Sequence, residues 1–160
     1  MRKTLIVFLA LALVCACGAA VCTHAVAAPR EDVTFDEHVF AGDPAAQVSD
    51  LELRRGSRYD AVIMDPPSYG RGPSGEVWKL EQSIFPFLEL LVQVLSDSPI
   101  FVLLNSYTTG LSASVMACLL GKTVMPRFGG RVFADELGLP VEDSLPLPCG
   151  SSAWWVPDAL

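Results

Sequence analysis

The sequence predicts an α/β fold in which a partly parallel sheet carries helices on its faces and ends in an antiparallel pair of strands. Two continuous apolar runs, 61–64 and 100–104, are typical of strands that are buried on both sides of a parallel sheet. An amphipathic helical pattern over 84–95 separates them. A strand, helix, strand unit implies a right-handed crossover with parallel pairing, so both strands should deliver their following loops to the same edge of the sheet.

Composition limits the class of protein. The chain has 160 residues, of which 51% are hydrophobic and 18% charged, which is enough for one domain with a packed core. The formal net charge is -7, and residues 1–28 contain no acidic side chain. Acidic residues therefore outnumber basic ones in the rest of the chain, which excludes the broad basic face of a stand-alone nucleic-acid binder. Any contact with RNA would need a local patch or another protein.

The first 28 residues are a signal-like or anchor-like apolar segment, and 29–160 form the domain. Arg2 and Lys3 precede an apolar run over 5–21, and small residues at 25–27 suit signal peptidase, with cleavage before Ala28. The run is also long enough for an uncleaved membrane anchor. Two further interpretations stay open: a buried alanine-rich helix and strand of an α/β domain whose beginning is missing, or an artefact of the gene model.

Short strands and a turn are predicted between this segment and the first apolar run. Residues 33–35 and 38–41 have strand character, and the Gly-Asp-Pro sequence at 42–44 breaks it. Asp43 either caps that turn or presents its carboxylate to a ligand at the end of a strand. A helix over 45–53 should end at the basic and glycine residues 54–56.

The loop after the first apolar run carries the chemistry. Asp65 stands at the carboxyl end of the strand, and Pro66-Pro67 prevents both continued pairing and an immediate helix. The loop that follows offers an aromatic ring, Tyr69, and two basic side chains, Arg71 and Lys79. In open α/β sheets ligands bind at this edge, although a stiff connection with solvated charges would have the same composition.

The second apolar run leads into a loop of similar character. Residues 105–110 include Asn105 and Tyr107, and a short helix over 111–120 should close at Gly121. Residues 129–140 and 144–155 then predict two antiparallel strands at the edge of the sheet, with the tryptophans at the end of the second strand covering the core.

Cysteine and histidine usage predicts neither a metal site nor a firm disulfide. Cys118 and Cys149 follow the apolar start and sit among apolar or Gly/Pro neighbours, where a buried free thiol is expected. Their pairing would need an oxidising compartment. His24 and His38 lack partners at metal-ligand spacing.

Several short motifs in order resemble one family. The span from about 54 to 154 is similar to the carboxyl-terminal half of class I S-adenosylmethionine-dependent methyltransferases, specifically the large-subunit ribosomal RNA methyltransferase-like group. The matching stretches are Arg-Arg-Gly at 54–56, Asp-Pro-Pro-Ser-Tyr-Gly-Arg-Gly-Pro at 65–73, Gly-Glu-Val-Trp-Lys-Leu at 75–80, Leu-Asn-Ser-Tyr-Thr-Thr-Gly at 104–110, Asp-Glu-Leu-Gly-Leu-Pro at 135–140 and Leu-Pro-Cys-Gly at 147–150.

The resemblance implies a Rossmann-like sheet, S-adenosylmethionine as cofactor, an RNA partner in rRNA processing and a cytoplasmic location. The signal-like interpretation of residues 1–27 instead implies a secreted or membrane-anchored protein. The residues that the resemblance assigns are catalytic Asp65, Pro66, Pro67 and Tyr69, cofactor-binding Asp43 and Asp65, and substrate-binding Tyr69, Arg71, Lys79, Asn105 and Tyr107.

Two features sharpen the predicted activity. Cytosine C5 methyltransferases use a cysteine nucleophile, and neither strand-end loop contains one, so methylation on nitrogen or oxygen is predicted. No Gly-x-Gly pattern precedes Gly70, although the family's donor site begins with a glycine-rich turn. The predicted function is therefore methyl transfer with an incomplete cofactor site, or an inactive enzyme. The alternative is an exported or anchored non-enzymatic domain that retains the fold, with a homo-oligomer or another partner at an exposed sheet edge.

Overall fold

A computed structural model of the chain describes the backbone of two strands, Arg2–Phe8 and Val33–Val39, and describes residues 52–71, 75, 77–142 and 144–158 in full. The predicted turn at 42–44 with Asp43, most of the predicted helix 45–53 and His24 lie outside the described residues.

A six-stranded mixed sheet organises the molecule, in the order β2-β1-β3-β6-β8-β7. The first four strands of this order pair in parallel, and β8 pairs antiparallel with both of its neighbours. A separate two-stranded ribbon consists of β4 and β5. The strands are β1 Arg2–Phe8, β2 Val33–Val39, β3 Ala61–Asp65, β4 Tyr69–Arg71, β5 Val77–Lys79, β6 Phe101–Ser106, β7 Arg131–Leu139 and β8 Leu147–Val156.

The parallel pair that the apolar runs predict is confirmed. β3 and β6 are adjacent, with Ala61 opposite Phe101 and Met64 opposite Leu104. One face of these strands, which includes Val62 and Met64, is buried against helices in a single hydrophobic core. The antiparallel pair at the carboxyl end, β7 with β8, is also confirmed.

Helix α1, Leu80–Val94, is the predicted amphipathic helix, but it begins earlier than expected. It follows β5 directly, because Leu80 is fully buried and its backbone N–H donates to the Ser68 carbonyl at 3.0 Å. Pro86 consequently lies in the helix interior and not in the first turn, as its position after 84 had suggested. The proline is exposed, so water can reach the carbonyl that lacks its usual helical donor.

Helix α2, Ala113–Thr123, and the short helix α3, Met125–Phe128, correct a second prediction. Gly121 does not end the helix, because Thr123 and Val124 beyond it are buried and hold the last turn on the core. The glycine that ends the helical segment is Gly129, which follows α3 with a φ of 65°.

The two tryptophans near the end of β8 have different environments. Trp155 is fully buried and its indole N–H donates to the Gly129 carbonyl at 2.7 Å, so it covers the core as predicted. Trp154 is half-buried and stacks on Phe133.

The cysteine prediction is wrong in one respect. Cys118 and Cys149 are both free, but both are exposed instead of buried. Cys118 lies on the solvent side of α2, and Cys149 lies where β8 extends past the end of β6. Local apolar neighbours did not reveal which side of each element faces water.

Part of the predicted signal-like segment belongs to the sheet. Residues 2–8 form β1, which pairs with β2 on one side and β3 on the other. Export or anchoring through this segment stays a prediction, as does the division of the chain at residue 28. Within the described ranges, no helix is both long and apolar enough to cross a membrane. The edges of the described sheet are β2 and β7.

Candidate active site

Two polar loops meet at the carboxyl edge of the parallel strands. Met64 and Leu104 are opposite each other in β3 and β6, so the residues that follow, Asp65 and Asn105, lie at the same edge. The Ser68 and Thr108 hydroxyl oxygens are 2.6 Å apart in a hydrogen bond that joins the two loops. The juxtaposition that the apolar runs predict is therefore present, and a specific contact fixes it.

The first loop is anchored on the hydrophobic core. The Trp78 indole N–H donates to the Pro67 carbonyl at 2.8 Å. Trp78 is 1% exposed and its ring meets Phe87 edge to face, with centroids 5.6 Å apart. Because two prolines restrict the backbone and a buried indole holds the carbonyl that follows them, the loop has one route away from the sheet.

Asp65 is the titratable group whose environment is altered at this edge. Burial raises the pKa of the Asp65 carboxyl above its ordinary value. A half-buried carboxylate that is costly to keep charged is a good acceptor of protons and hydrogen bonds from a ligand. The carboxyl stands where the parallel strands end, which is the position expected of a reactive group in an open α/β sheet.

The predicted substrate residues of the first loop lie on the β4–β5 ribbon. Tyr69 is opposite Lys79 across the ribbon, and Tyr69 is 50% exposed. The Arg71 Nε–H donates to the Tyr69 hydroxyl at 2.7 Å. Two basic side chains thus flank one exposed ring, which forms a small cationic and aromatic surface.

A cleft of about 450 Å³ separates this surface from the second loop. Tyr69 and Lys79 line one side of it, and Thr108, Thr109 and Gly110 line the other. The Ser68–Thr108 hydrogen bond forms part of its wall. Glu81 also lines it and gives the cleft one negative charge beside the basic side chain.

The second loop is held by short polar contacts. The Ser152 hydroxyl of β8 donates to the Asn105 amide oxygen at 2.6 Å, and the Thr108 N–H donates to the Ser106 hydroxyl at 3.1 Å. Tyr107 is 50% exposed and lines another cleft, of about 430 Å³, together with Glu136 of β7. The structure therefore places the two candidate tyrosines in different clefts, on either side of the second loop.

Two features of the site were missed in the sequence. Trp78 is an aromatic residue of the kind that strands favour, and nothing in the local sequence indicates that its indole N–H donates to the Pro67 carbonyl. Ser68 reads only as an insertion between the prolines and Tyr69, whereas it joins the loops through Thr108. Asp43, the second predicted cofactor residue, lies outside the described residues. In the part of the chain that the structure describes, no cluster of His, Cys, Asp or Glu could hold a metal ion.

Solved structures resemble this chain. A SAM-dependent methyltransferase from Agrobacterium tumefaciens is 29% identical with a TM-score of 0.64, and the match covers 79% of this chain and 40% of that one. SMU.776, solved in complex with SAH, is 18% identical with a TM-score of 0.50, over 76% of this chain and 31% of that one. No family model and no curated protein matched.

The chain thus spans less than half the length of the solved proteins that it resembles. The resemblance agrees with the partly parallel sheet, the helices packed on it and the antiparallel pair at its edge. The chain has the fold of class I SAM-dependent methyltransferases.

Proposed function

We propose that the chain is a S-adenosylmethionine-dependent methyltransferase in which donor and acceptor meet at the Asp65-Pro66-Pro67 loop. The observation that carries the proposal is the Ser68–Thr108 hydrogen bond, because it joins the two loops at the carboxyl edge of the parallel strands. Ligands bind at this edge in open α/β sheets. The likeness to a SAM-dependent methyltransferase and to a structure with SAH supports the choice of cofactor.

The described residues fit one side of such a cofactor. Asp65 supplies a half-buried carboxylate at the end of β3, where polar groups of a ligand can donate hydrogen bonds to it. The sequence before Gly70 has no Gly-x-Gly turn whose backbone could bind the other side of the cofactor. We therefore expect weak binding, with a dissociation constant in the millimolar range, which corresponds to a binding free energy of about -4 kcal/mol.

The protein's contribution to transfer is positioning and hydrogen bonding. The cofactor, when bound, supplies a methyl group on a positively charged sulfur. Asp65 and one proline carbonyl accept hydrogen bonds from an acceptor nitrogen that becomes more positive as the new bond forms. The Pro67 carbonyl is already held by Trp78, so the Pro66 carbonyl takes this role. Asp65, whose raised pKa favours protonation, is suited to take the proton that the methylated nitrogen releases.

RNA is the proposed acceptor. Tyr69 offers an exposed ring on which a base can stack, and Arg71 and Lys79 on the same ribbon can meet phosphate. The two described cysteines lie on α2 and β8, outside both loops, which supports transfer to nitrogen or oxygen in place of carbon 5 of cytosine. The basic surface is small and meets few phosphates, so the affinity for RNA should be low and should fall only gradually with salt.

The test uses methyl-labelled S-adenosylmethionine at millimolar concentration with ribosomal RNA. Asp65→Ala should lower label transfer by at least about 100-fold, as loss of a proton-transfer group does. Asp97→Ala is the matched control, since Asp97 is fully exposed and lies after α1. Equal transfer by both variants would contradict the role of Asp65. Label that appears on protein and not on RNA would contradict RNA as the acceptor but would not contradict methyl transfer itself.

A further inference from the structure

Strand β7 is an edge of the sheet, and its first five side chains alternate between the core face and the exposed face. It pairs with β8 on one side, and in the described sheet no strand follows it on the other. Helix α2 contacts β7, and Val132 and Ala134 pack against the core on that face. The residues that alternate with them, Arg131, Phe133 and Asp135, are exposed. They carry a positive charge, an aromatic ring and a negative charge on one face, two residues apart.

This triplet is complementary to itself. In an antiparallel pair, residues directly opposite each other lie on the same face of the sheet. A second copy of β7 turned about a two-fold axis at Phe133 would put Arg131 opposite Asp135, Phe133 opposite its own copy, and Asp135 opposite Arg131. Both cross-strand ion pairs are then between opposite charges. An exposed edge strand offers unpaired backbone groups for this pairing.

We propose that two copies of this chain associate through β7, in an antiparallel two-fold pair centred on Phe133. The proposal is independent of the proposed methyl transfer. A two-fold interface uses the same patch on both copies, which is the arrangement that a self-complementary triplet satisfies. The face that α2 covers in each copy lies on the same side of the joined sheet, since the opposed residues in this register share a face.

The contacts within one copy leave Arg131, Phe133 and Asp135 available to a second copy. Phe133 is 41% exposed and stacks on Trp154 at 5.7 Å between centroids, so its ring is already supported from within its own chain. The Arg131 guanidinium lies 5.7 Å from the Phe133 ring centroid. One Asp135 oxygen accepts the Glu136 N–H at 2.8 Å, which leaves the other oxygen for an ion pair. The aromatic pair thus continues the Phe133–Trp154 stack into the second copy.

Charge reversal tests the proposal on the full chain by sedimentation velocity over a concentration series. Arg131→Asp and Asp135→Arg should each weaken the dimer by at least about tenfold, because each puts like charges opposite each other twice. An equimolar mixture of the two variants should form a one-to-one heterodimer, and the double variant R131D/D135R should dimerise as the wild type does. Lys122→Asp and Glu89→Arg are matched controls on helix surfaces and should leave the dimer unchanged.

A complementary measurement does not depend on variant folding. In wild-type protein, the exchange of backbone amide hydrogens in 131–135 should slow as concentration rises, while the amides of Glu142, Ser144 and Leu145 should not change. A wild type that stays monomeric at millimolar concentration would overturn the proposal. So would single variants that dimerise normally, or a mixture that fails to restore the dimer that its components lost.

Discussion

The two strand-end loops follow the same pattern in sequence but are held in different ways. The loop after β3 is fixed by two prolines and by Trp78, a buried indole that belongs to the hydrophobic core. The loop after β6 is held by hydroxyl groups, such as Ser152 on Asn105, and by the close approach of Gly150. The first loop is thus an extension of the core, and the second is a polar structure resting on β8.

The two loops therefore owe their rigidity to different interactions. The loop that carries Asp65, the proposed reactive group, takes its position from apolar burial, which is difficult to disrupt by small changes. The loop opposite it depends on individual hydrogen bonds, each of which contributes about 1 kcal/mol. Substitutions that remove these supports should therefore differ in cost, and the order of those costs tests the comparison.

The largest effect should come from Trp78. Trp78→Ala should lower the free energy of unfolding by about 3–5 kcal/mol, because it empties a fully buried site. Trp78→Phe keeps a smaller aromatic ring in the site but leaves the Pro67 carbonyl without its donor, and should cost about 1–3 kcal/mol. Urea unfolding measures both, with Tyr107→Phe on the exposed second loop as a control within about 0.5 kcal/mol of wild type. Full stability of Trp78→Phe would show that the indole N–H does not hold the first loop.

Gly150 tests the support of the second loop. Its φ is 136°, and a Cβ there would lie 2.6 Å from the Ser106 carbonyl oxygen, so Gly150→Ala should cost about 1–3 kcal/mol. Gly110→Ala is the matched control, because Gly110 also has a positive φ but has nothing within 4 Å of the added carbon. Thermal unfolding should rank Gly150→Ala below Gly110→Ala in stability, and the reverse order would contradict the close approach.

A double-mutant cycle measures the hydrogen bond between the loops. Ser68→Ala and Thr108→Val should show a coupling of about 0.5–1.5 kcal/mol in urea unfolding, because their hydroxyl groups bond to each other. The exposed pair Ser112 and Ser114, with oxygens 3.0 Å apart, is the control cycle and should couple by less than about 0.5 kcal/mol. Equal coupling in the two cycles would mean that the loops are not joined through this contact.

The smallest effect is the pH dependence of Asp65. Burial raises its pKa in the folded state, so the native protein binds this proton more readily than the unfolded chain does. This residue's contribution to stability is most favourable below the ordinary pKa of 3.8 and is lost as pH rises through the folded pKa. Asp65→Asn should therefore gain stability over wild type at neutral pH and gain none below that value. A gain that does not vary with pH would contradict the assignment.

Features of the fold that depend on local sequence patterns could be predicted, and contacts between residues far apart in the sequence could not. The two buried runs predict β3 and β6, and the rule that parallel strands end at one edge predicts that Asp65 and Asn105 meet there. Pro86 and Gly121 were misplaced because tertiary burial, not local propensity, decides where α1 begins and α2 ends. The Trp78–Pro67 and Ser68–Thr108 contacts join residues 11 and 40 positions apart, and no periodic pattern encodes such pairs.

Titration of S-adenosylmethionine into isotope-labelled protein, followed by amide NMR spectra, measures whether the methyl donor binds at the Asp65 loop. Binding at the proposed site should shift the backbone amides of Asp65, Ser68 and residues 105–109, and should leave Leu139 and Leu145 on the distant hairpin unchanged. The method detects the millimolar affinity that the proposed site implies. Shifts confined to other parts of the chain, or no shifts at millimolar ligand, would contradict methyl donation at the Asp65 loop.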